Sequence, residues 1–419
     1  MILITNFGIV MTAVNWLFIF IFLIVFNFIF SSILEYINDK NWNDKIPESL
    51  NGFYDKKRYL KAKDYKNARG KVSLISSSLS IILTLVILLS GFYGFISDYI
   101  YEKYPSTFLH SGFFFLFFYL INLLVSIPIS YYSTFVIEEK FGFNKTSRKT
   151  FILDLIKGLF ISIIIGGVLL AAALFIYDYF NDGFWIYLWI GLSAFTLFIS
   201  MFYTTLIVPI FNKLSPLEDG SLKEKIEKYS TEIGYSLRNI FIIDGSKRSS
   251  KANAYFSGFG PKKTIALFDT LVEKHSEEEL VAVLAHEVGH YKKNHVKQGM
   301  FLSIIQIGLM CFLLEVCTNL PEITTALGAE TNAFHLGLIG FSFLFTPIGL
   351  ITGIFMNMLS RKNEFEADQY AKNTYDGESL KLALKKLSVD SLSNLYPHPL
   401  YVFIHYSHPP LLERLKALN

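Results

Sequence analysis

Seven long apolar stretches dominate the pattern of hydrophobic and polar positions in this 419-residue chain. A helix needs about 20 residues to cross about 30 Å of hydrocarbon, and each stretch is long enough. They lie near residues 7–30, 74–95, 112–131, 152–176, 184–210, 300–320 and 336–358. The first lacks a basic flank and a small-x-small cleavage site, so we interpret it as a retained anchor. The pattern predicts a multi-pass, all-α membrane protein with seven transmembrane helices.

Lysine and arginine are distributed unevenly among the segments that connect these stretches. Ten lie between the first and second stretches and four between the third and fourth. The second connection holds only Lys103, and the fourth and sixth hold none. Because positive charges collect on the cytoplasmic side of a membrane, this alternation predicts an N-terminus outside the cell or in the lumen. Residues 212–298 and the C-terminal tail are then expected to face the cytoplasm.

Two stretches are polar enough to fold outside the bilayer, at residues 212–298 and 359–419. In the first, residues 222–233 are typical of a charged helix, and residues 240–243 and 264–268 are typical of short buried strands. A further helix is predicted to begin at Ser276. Ser276 is a suitable N-cap, and Glu279 three residues later completes a capping box.

The composition supports a membrane protein and argues against several other classes. Only 17% of the residues are charged and 41 are Phe, whereas a soluble domain carries about 25% charge. The net charge of +3 gives no indication of a nucleic-acid partner. Cys311 and Cys317 share one apolar stretch, which is neither a disulfide framework nor a thiolate metal site.

The helix predicted after Ser276 carries the motif H-E-x-x-H at His286, Glu287 and His290. Residues four apart lie on one helical face, so two imidazoles can bind one Zn²⁺ ion at about 2.0–2.1 Å. The adjacent Glu287 is then placed to act as general base on a zinc-bound water. The motif predicts a zinc hydrolase with one Zn²⁺ per chain.

A catalytic zinc needs a third protein ligand, and the segment after the seventh stretch offers three carboxylates. Glu364 and Asp368 are four residues apart, so one can ligate zinc while the other orients a zinc-binding histidine. Glu366 is expected to point elsewhere. Charge runs are usually solvated, but this one emerges from the membrane on the same side as the H-E-x-x-H motif. The motifs therefore divide the chain into residues 1–211 (spans 1–5), 212–298 (catalytic), 299–358 (spans 6 and 7) and 359–419 (C-terminal catalytic).

Six blocks of sequence, in this order, resemble the type I CAAX prenyl endopeptidases, the integral-membrane zinc proteases that include the a-factor-converting enzymes. The likeness covers essentially the whole chain. The blocks are residues 134–139 with 142–144, 209–213 with 216–217, 249–256, 286–290, 364–368 and 406–415.

The resemblance implies a role for each matched position. His286, His290 and Glu364 would be the zinc ligands and Glu287 the general base and acid, with Asp368 supporting the site from behind. From the tail, Arg414 would reach the site, and His408 would stabilise the oxyanion. Asn253 and Tyr255 would lie on an edge segment that pairs with the substrate backbone. His295 also matches the family, without a role that we can assign.

The same resemblance implies a fold and a substrate. The spans would form a barrel-like chamber with a small, mostly helical, zincin-like catalytic domain at its cytoplasmic end. Asp154, Lys157 and Glu315 in the spans agree with this, because intramembrane charges face a cavity or a partner. The expected substrate is a protein or peptide, C-terminally prenylated, in contact with membrane lipids. The host membrane is left open between a bacterial inner membrane and the endoplasmic reticulum.

Three alternatives compete with a prenyl-protein endopeptidase. A quality-control protease for membrane proteins, without a lipid requirement, would have the same chemistry, but its relatives have fewer spans. A transporter or scaffold with structural zinc would not need Glu287. An intramembrane protease of the site-2 type would bury the motif helix in an apolar span, whereas here Glu277 and Lys292 flank it.

Overall fold

The computed structural model describes residues 11–180, 182–235, 239–257 and 264–419. Within these ranges seven helices are long and apolar enough to cross a membrane, which confirms the prediction from hydropathy. The first helices are α1 (Ala13–Lys40), α2 (Lys56–Leu89), α3 (Phe92–Lys103), α4 (Thr107–Tyr132), α5 (Glu139–Phe141), α6 (Arg148–Phe180), α7 (Phe184–Leu206) and α8 (Val208–Phe211). A π-helix, Ser133–Glu138, joins α4 to α5. Residues 7–10 of the first predicted span lie outside the described residues.

The elements outside the first five spans form a mixed catalytic region and the last two spans. They are β1 (Leu214–Pro216), α9 (Ser221–Glu232), β2 (Asn239–Ile243), β3 (Ala254–Ser257), β4 (Thr264–Phe268), α10 (Asp269–Lys274), α11 (Glu277–Lys292), α12 (His295–Thr318), α13 (Pro321–Ala326), α14 (Phe334–Thr374), α15 (Gly377–Asp390), α16 (Pro399–His405) and α17 (Leu411–Leu418). Of all these helices, the spans are α1, α2, α4, α6, α7, α12 and α14.

The first two spans each have an apolar face and a polar face. On α1, Phe22, Phe26 and Ile33 are exposed, as expected for side chains that meet lipid. The opposite face carries Asn27 and Ser31, which line a cavity of about 740 Å³ together with serines of α2. Polar side chains on the inner faces of spans are expected where helices enclose a water-filled space. A cavity lined by span residues agrees with the barrel-like chamber that the resemblance implies.

Two spanning helices extend far beyond their apolar stretches. α2 begins at Lys56 and buries Tyr59 and Tyr65 in its charged first half. α14 continues without a break to Thr374, past Pro347, so it carries the third motif segment on the same rod as the seventh span. The membrane domain and the catalytic region therefore share one continuous helix.

The catalytic region contains a four-stranded sheet with the order β1-β2-β4-β3. β2 runs parallel to β4, and the other two pairings are antiparallel. The strands predicted at residues 240–243 and 264–268 are β2 and β4. Helix α11 packs into a core that is shared with the C-terminal end of α14 and with α15, through Leu284, Ala371 and Leu380 among others.

Each of the three charges noted in the spans has a polar partner. Asp154 of α6 accepts two hydrogen bonds, of 2.7 and 2.8 Å, from Arg248 of the catalytic region. Lys157 donates to a backbone carbonyl of α8 at 2.7 Å. Glu315 of α12 accepts from two backbone N–H groups at the start of α7, at 3.0 and 2.9 Å. These contacts fix the catalytic region and neighbouring spans relative to one another.

Candidate active site

Helix α11 holds the H-E-x-x-H motif in the centre of the catalytic core. Its N-cap is Ser276, whose hydroxyl accepts from the Glu279 backbone while the Glu279 side chain accepts from the Ser276 backbone. This reciprocal pair confirms the predicted capping box. Residues from Glu279 to Ala285 are buried without interruption, so the helix is held on all sides. His286 and His290 therefore start from a rigid backbone.

Three side chains converge on one point between α11 and α14. His286 Nε2 and His290 Nε2 are 3.2 Å apart. Glu364 Oε1 lies 3.2 Å from His290 Nε2, and Glu364 Oε2 lies 3.5 Å from His286 Nε2. Sequence reasoning predicted these three residues as a ligand set, and the structure brings them together as a compact triangle.

The triangle has the dimensions that zinc requires. Atoms bound at about 2.0–2.1 Å to a tetrahedral ion are about 3.3 Å apart, close to the observed separations. The Oε2 atom of Glu364 is fully buried without a well-oriented hydrogen bond, which a cation would satisfy. Two imidazoles and a carboxylate are also the donor set of catalytic zinc sites, in which a fourth position stays open. The residues present therefore fit a zinc ion.

Asp368 and Arg414 support the triangle from behind. Asp368 Oδ1 lies 2.9 Å from His286 Nδ1, the ring nitrogen that points away from the triangle. Arg414 donates to both oxygens of Asp368, at 2.8 and 2.5 Å, and its Nη1 lies 3.2 Å from Glu364 Oε2. Arg414 is 9% exposed and Asp368 is 1% exposed, so these are buried ion pairs. One guanidinium thereby contacts both Glu364 and the carboxylate that lies against His286.

Protonation of His286 competes with metal binding at this site. Burial acts to lower the pKa of His286, but hydrogen bonds to Asp368 and Glu364 outweigh burial and raise the pKa to about 9. A metal must displace that proton, so binding releases protons.

Glu287 follows His286 on α11, and His408 approaches the triangle from the C-terminal tail. Glu287 is half-buried and close enough to Arg414 for their charges to interact. The Nε2 atom of His408 lies 3.3 Å from Glu364 Oε1, and the His408 side chain is 64% exposed. An exposed donor beside a buried carboxylate can reach a group that enters from solvent.

Asn253 and Tyr255 lie at one edge of the sheet. Among the described strands β3 pairs with β4 alone, and Tyr255 stands opposite Ala266 in that pairing. Asn253 is exposed just before the strand, and its carbonyl accepts from the Phe268 backbone at 3.1 Å. An edge strand offers unpaired backbone groups to an extended peptide. No contact with the triangle is recorded for either residue within the described ranges.

Sequence reasoning missed the position of His295 and the partner of Glu366. His295 Nδ1 lies 3.1 Å from His290 Nδ1, and His295 Nε2 lies 3.1 Å from Glu366 Oε2. The indications in the sequence were the match of His295 to the family and its place shortly after the motif, at a spacing that does not share a helical face.

Two family models match the chain in succession. One, described as CAAX prenyl protease N-terminal, five membrane helices, matches residues 35–213. The other, described as peptidase family M48, matches residues 216–419. Together they account for nearly the whole chain.

Proteins that are similar to this chain include CAAX prenyl proteases. A CAAX prenyl protease 1 homolog of Arabidopsis thaliana is 40% identical over 301 residues, covering 71% of this chain and 70% of the relative. CAAX prenyl protease 1 of Saccharomyces cerevisiae is 40% identical over 315 residues, with the same coverage. The crystal structure of S. mikatae Ste24p matches with a TM-score of 0.90 at 35% identity, covering 98% of this chain and 100% of that one.

Proposed function

Because the chain belongs to the CAAX prenyl proteases of peptidase family M48, a family of membrane metalloproteases, we propose that it cleaves peptide bonds near the C-terminus of prenylated CAAX-type proteins. The observation that carries this proposal is the triangle of His286, His290 and Glu364, with Glu287 next to His286 on α11. A structural zinc site has no use for a fourth, open position or for an adjacent carboxylate base.

His286, His290 and Glu364 would hold one Zn²⁺ ion. When bound, the ion supplies Lewis acidity that makes water nucleophilic near neutral pH. Glu287 takes the proton from the attacking water and passes it to the departing amine, as a general base and then a general acid. Asp368 and Arg414 keep His286 and Glu364 in place during this step.

His408 and the edge strand would act on the substrate. His408 donates to the oxygen on which negative charge develops, where a fixed donor stabilises the transition state. The substrate backbone would pair with the open side of β3, beside Asn253 and Tyr255. Such pairing holds a peptide in extended form, which exposes its carbonyls to attack.

The proposal also covers the orientation of the protein in the membrane. The uneven distribution of Lys and Arg supports an active site on the cytoplasmic side, with lipids bathing the spans. We propose the same four-part organisation as above, with spans in residues 1–211 and 299–358 and catalytic segments in 212–298 and 359–419. The polar cavity between the first spans would accept the part of the substrate that enters the membrane domain.

Cleavage of paired peptides by purified protein tests the proposal. A farnesylated C-terminal CAAX peptide is compared with its unprenylated twin, and Glu287→Gln with the wild-type protein. Loss of the general base should lower kcat by about 10²–10⁴-fold while zinc content stays the same. Glu278→Gln is the matched control, because Glu278 lies on the same helix but pairs with Lys225 at the surface.

The outcomes separate the alternatives. Cleavage of the lipidated peptide alone, lost in Glu287→Gln and kept in Glu278→Gln, supports the proposal. Equal cleavage of both peptides would indicate a general membrane-protein peptidase instead. Absence of zinc-dependent cleavage of either peptide would refute the proposed substrate class and favour a structural role for the metal.

A further inference from the structure

The second zinc-binding histidine has a support of its own, distinct from that of the first. His286 rests directly on a carboxylate, Asp368. Among the described residues no carboxylate lies against the outer nitrogen of His290; there the Nδ1 atom faces another imidazole, that of His295, at 3.1 Å. His295 is 7% exposed, and its far nitrogen reaches Glu366 at 3.1 Å. A carboxylate therefore also stands behind His290, one ring further away.

With zinc on His290 Nε2 and both rings neutral, one arrangement of protons satisfies these contacts. Zinc binding through Nε2 leaves the proton of a neutral His290 on Nδ1, which must then donate to His295 Nδ1. His295 Nδ1 must therefore be an acceptor, so the proton of His295 lies on Nε2. That proton donates to Glu366 Oε2. The hydrogen bonds from His290 to His295 and from His295 to Glu366 thus hold both imidazole rings in the tautomers that leave His290 Nε2 free for metal.

The backbone between the two histidines is shaped for this contact. Residues five apart on one helix point in different directions, so His290 and His295 could not meet on a continuous helix. The chain ends α11 at Lys292 and begins α12 at His295, and Asn294 between them has a φ of 61°. Asn tolerates this left-handed conformation better than most residues. The bend turns His295 back onto His290.

The series of hydrogen bonds that begins at His290 ends at Glu366, on the protein surface. Its side chain is 39% exposed, and its other oxygen lies 3.7 Å from the exposed Lys362. It is two residues from Glu364 on α14, so the same helix turn that supplies a ligand also supplies the end of the support for His290.

We propose that His295 and Glu366 are positioning residues that hold the His290 ring in its metal-binding tautomer and orientation. The inference rests on the proposed role of His290 as a zinc ligand, but not on the identity of the substrate. Groups that orient a metal-bound histidine typically change metal affinity by about 10–100-fold when removed. A histidine that merely fills the core would change folding stability and leave the affinity of the remaining site alone.

Metal affinity of the full-length protein in detergent, measured by competition with a chelator, tests this without any substrate. His295→Leu should weaken zinc binding by about 10–100-fold. His295→Asn places an amide oxygen where Nδ1 was, so it should recover most of the affinity. His275→Leu is the matched control: His275 is also 7% exposed and, in the part of the chain that the structure describes, hydrogen-bonds a backbone carbonyl of α10 alone, so its loss should leave zinc affinity within about threefold of wild type.

Cobalt substitution adds a readout that a purely structural role would not move. The visible spectrum of the Co²⁺-loaded protein reports the ligand field, and it should change in His295→Leu but not in His275→Leu. If His295→Leu does not fold, the surface variant Glu366→Leu is tested in its place. Its zinc affinity should fall severalfold. Unchanged affinity and spectrum in the folded variant, or equal losses in the His275 control, would overturn the proposal. Failure of the prenyl-peptide assay with zinc affinities as expected would refute the substrate class alone.

Discussion

Replacing Gly289 with alanine should damage the zinc site even though alanine is the better helix former. Gly289 lies in α11 between Glu287 and His290. A Cβ atom there would lie 3.0 Å from Ala367 Cα, 3.1 Å from the Ala367 carbonyl oxygen and 3.1 Å from Tyr370 Cβ. Ordinary carbon contacts are about 3.5–4.0 Å, so α11 and α14 must separate by about 0.5 Å. Two of the three obstructing atoms are backbone and cannot rotate away.

The magnitude follows from the tolerance of the metal site. Ala367 lies between Glu364 and Asp368, so the separation moves both carboxylates away from the histidines of α11. Metal–ligand distances tolerate only about ±0.2 Å, and a misplacement of about 1 Å costs about 10²-fold in rate. A shift of half that size should lower kcat/KM and zinc affinity by about tenfold each. Helix propensity alone predicts the opposite, a gain of about 1 kcal/mol in stability.

The assay compares Gly289→Ala with Gly299→Ala, a helical glycine of α12 that has open space around its missing Cβ. Peptide cleavage, chelator competition and melting temperature are measured for both. The control should keep wild-type activity and zinc affinity. Wild-type activity in Gly289→Ala, or an equal loss in Gly299→Ala, would refute the argument that close approach of the two helices sets the ligand geometry.

Two further substitutions test the buried charges. Arg414→Met should lower the free energy of unfolding by about 3–5 kcal/mol without metal, because it leaves Asp368 and Glu364 buried without their cation. Saturating zinc should reduce that loss, since the metal supplies positive charge, and denaturation with and without zinc measures the difference; a loss independent of zinc would contradict this account. Glu315→Leu should remove about 1–3 kcal/mol by depriving the start of α7 of its charged acceptor, seen as a lower melting temperature in detergent, and an unchanged melting temperature would argue against it.

Features encoded within a few neighbouring residues were predictable from the sequence. The start of α11 at Ser276 is one, because both hydrogen bonds of its capping box lie within four residues. The strands β2 and β4 are another, because a short apolar run between polar segments is typical of a buried strand. Helix ends were predicted less well. Hydropathy marks where lipid ends and not where a helix ends, so the extensions of α2 to Lys56 and of α14 to Thr374 were missed.

Contacts made over long distances in the chain were only partly predictable. The pair Glu364 and Asp368 was found because their spacing puts both on one helical face beside a zinc motif. Their exact partners depend on how α11 and α14 pack, which no local pattern contains. The position of His295 depends on a single left-handed residue, Asn294, that reorients the chain. The edge position of β3 follows from its pairing with β4, which lies later in the chain, and no local pattern predicts that pairing.

Because helix α14 is unbroken, a change in the tilt of the seventh span also moves active-site residues. Its 41 residues form a rod about 60 Å long, and Glu364 lies 30 residues, or about 45 Å, from the N-terminal end at Phe334. If α11 stays in place, a tilt of about 1° about that end carries Glu364 sideways by about 0.8 Å relative to His286 and His290, more than a metal–ligand distance tolerates. Bilayer thickness sets the tilt of spanning helices. Hydrolysis in the aqueous phase should therefore depend on the length of the lipid chains that surround the seventh span.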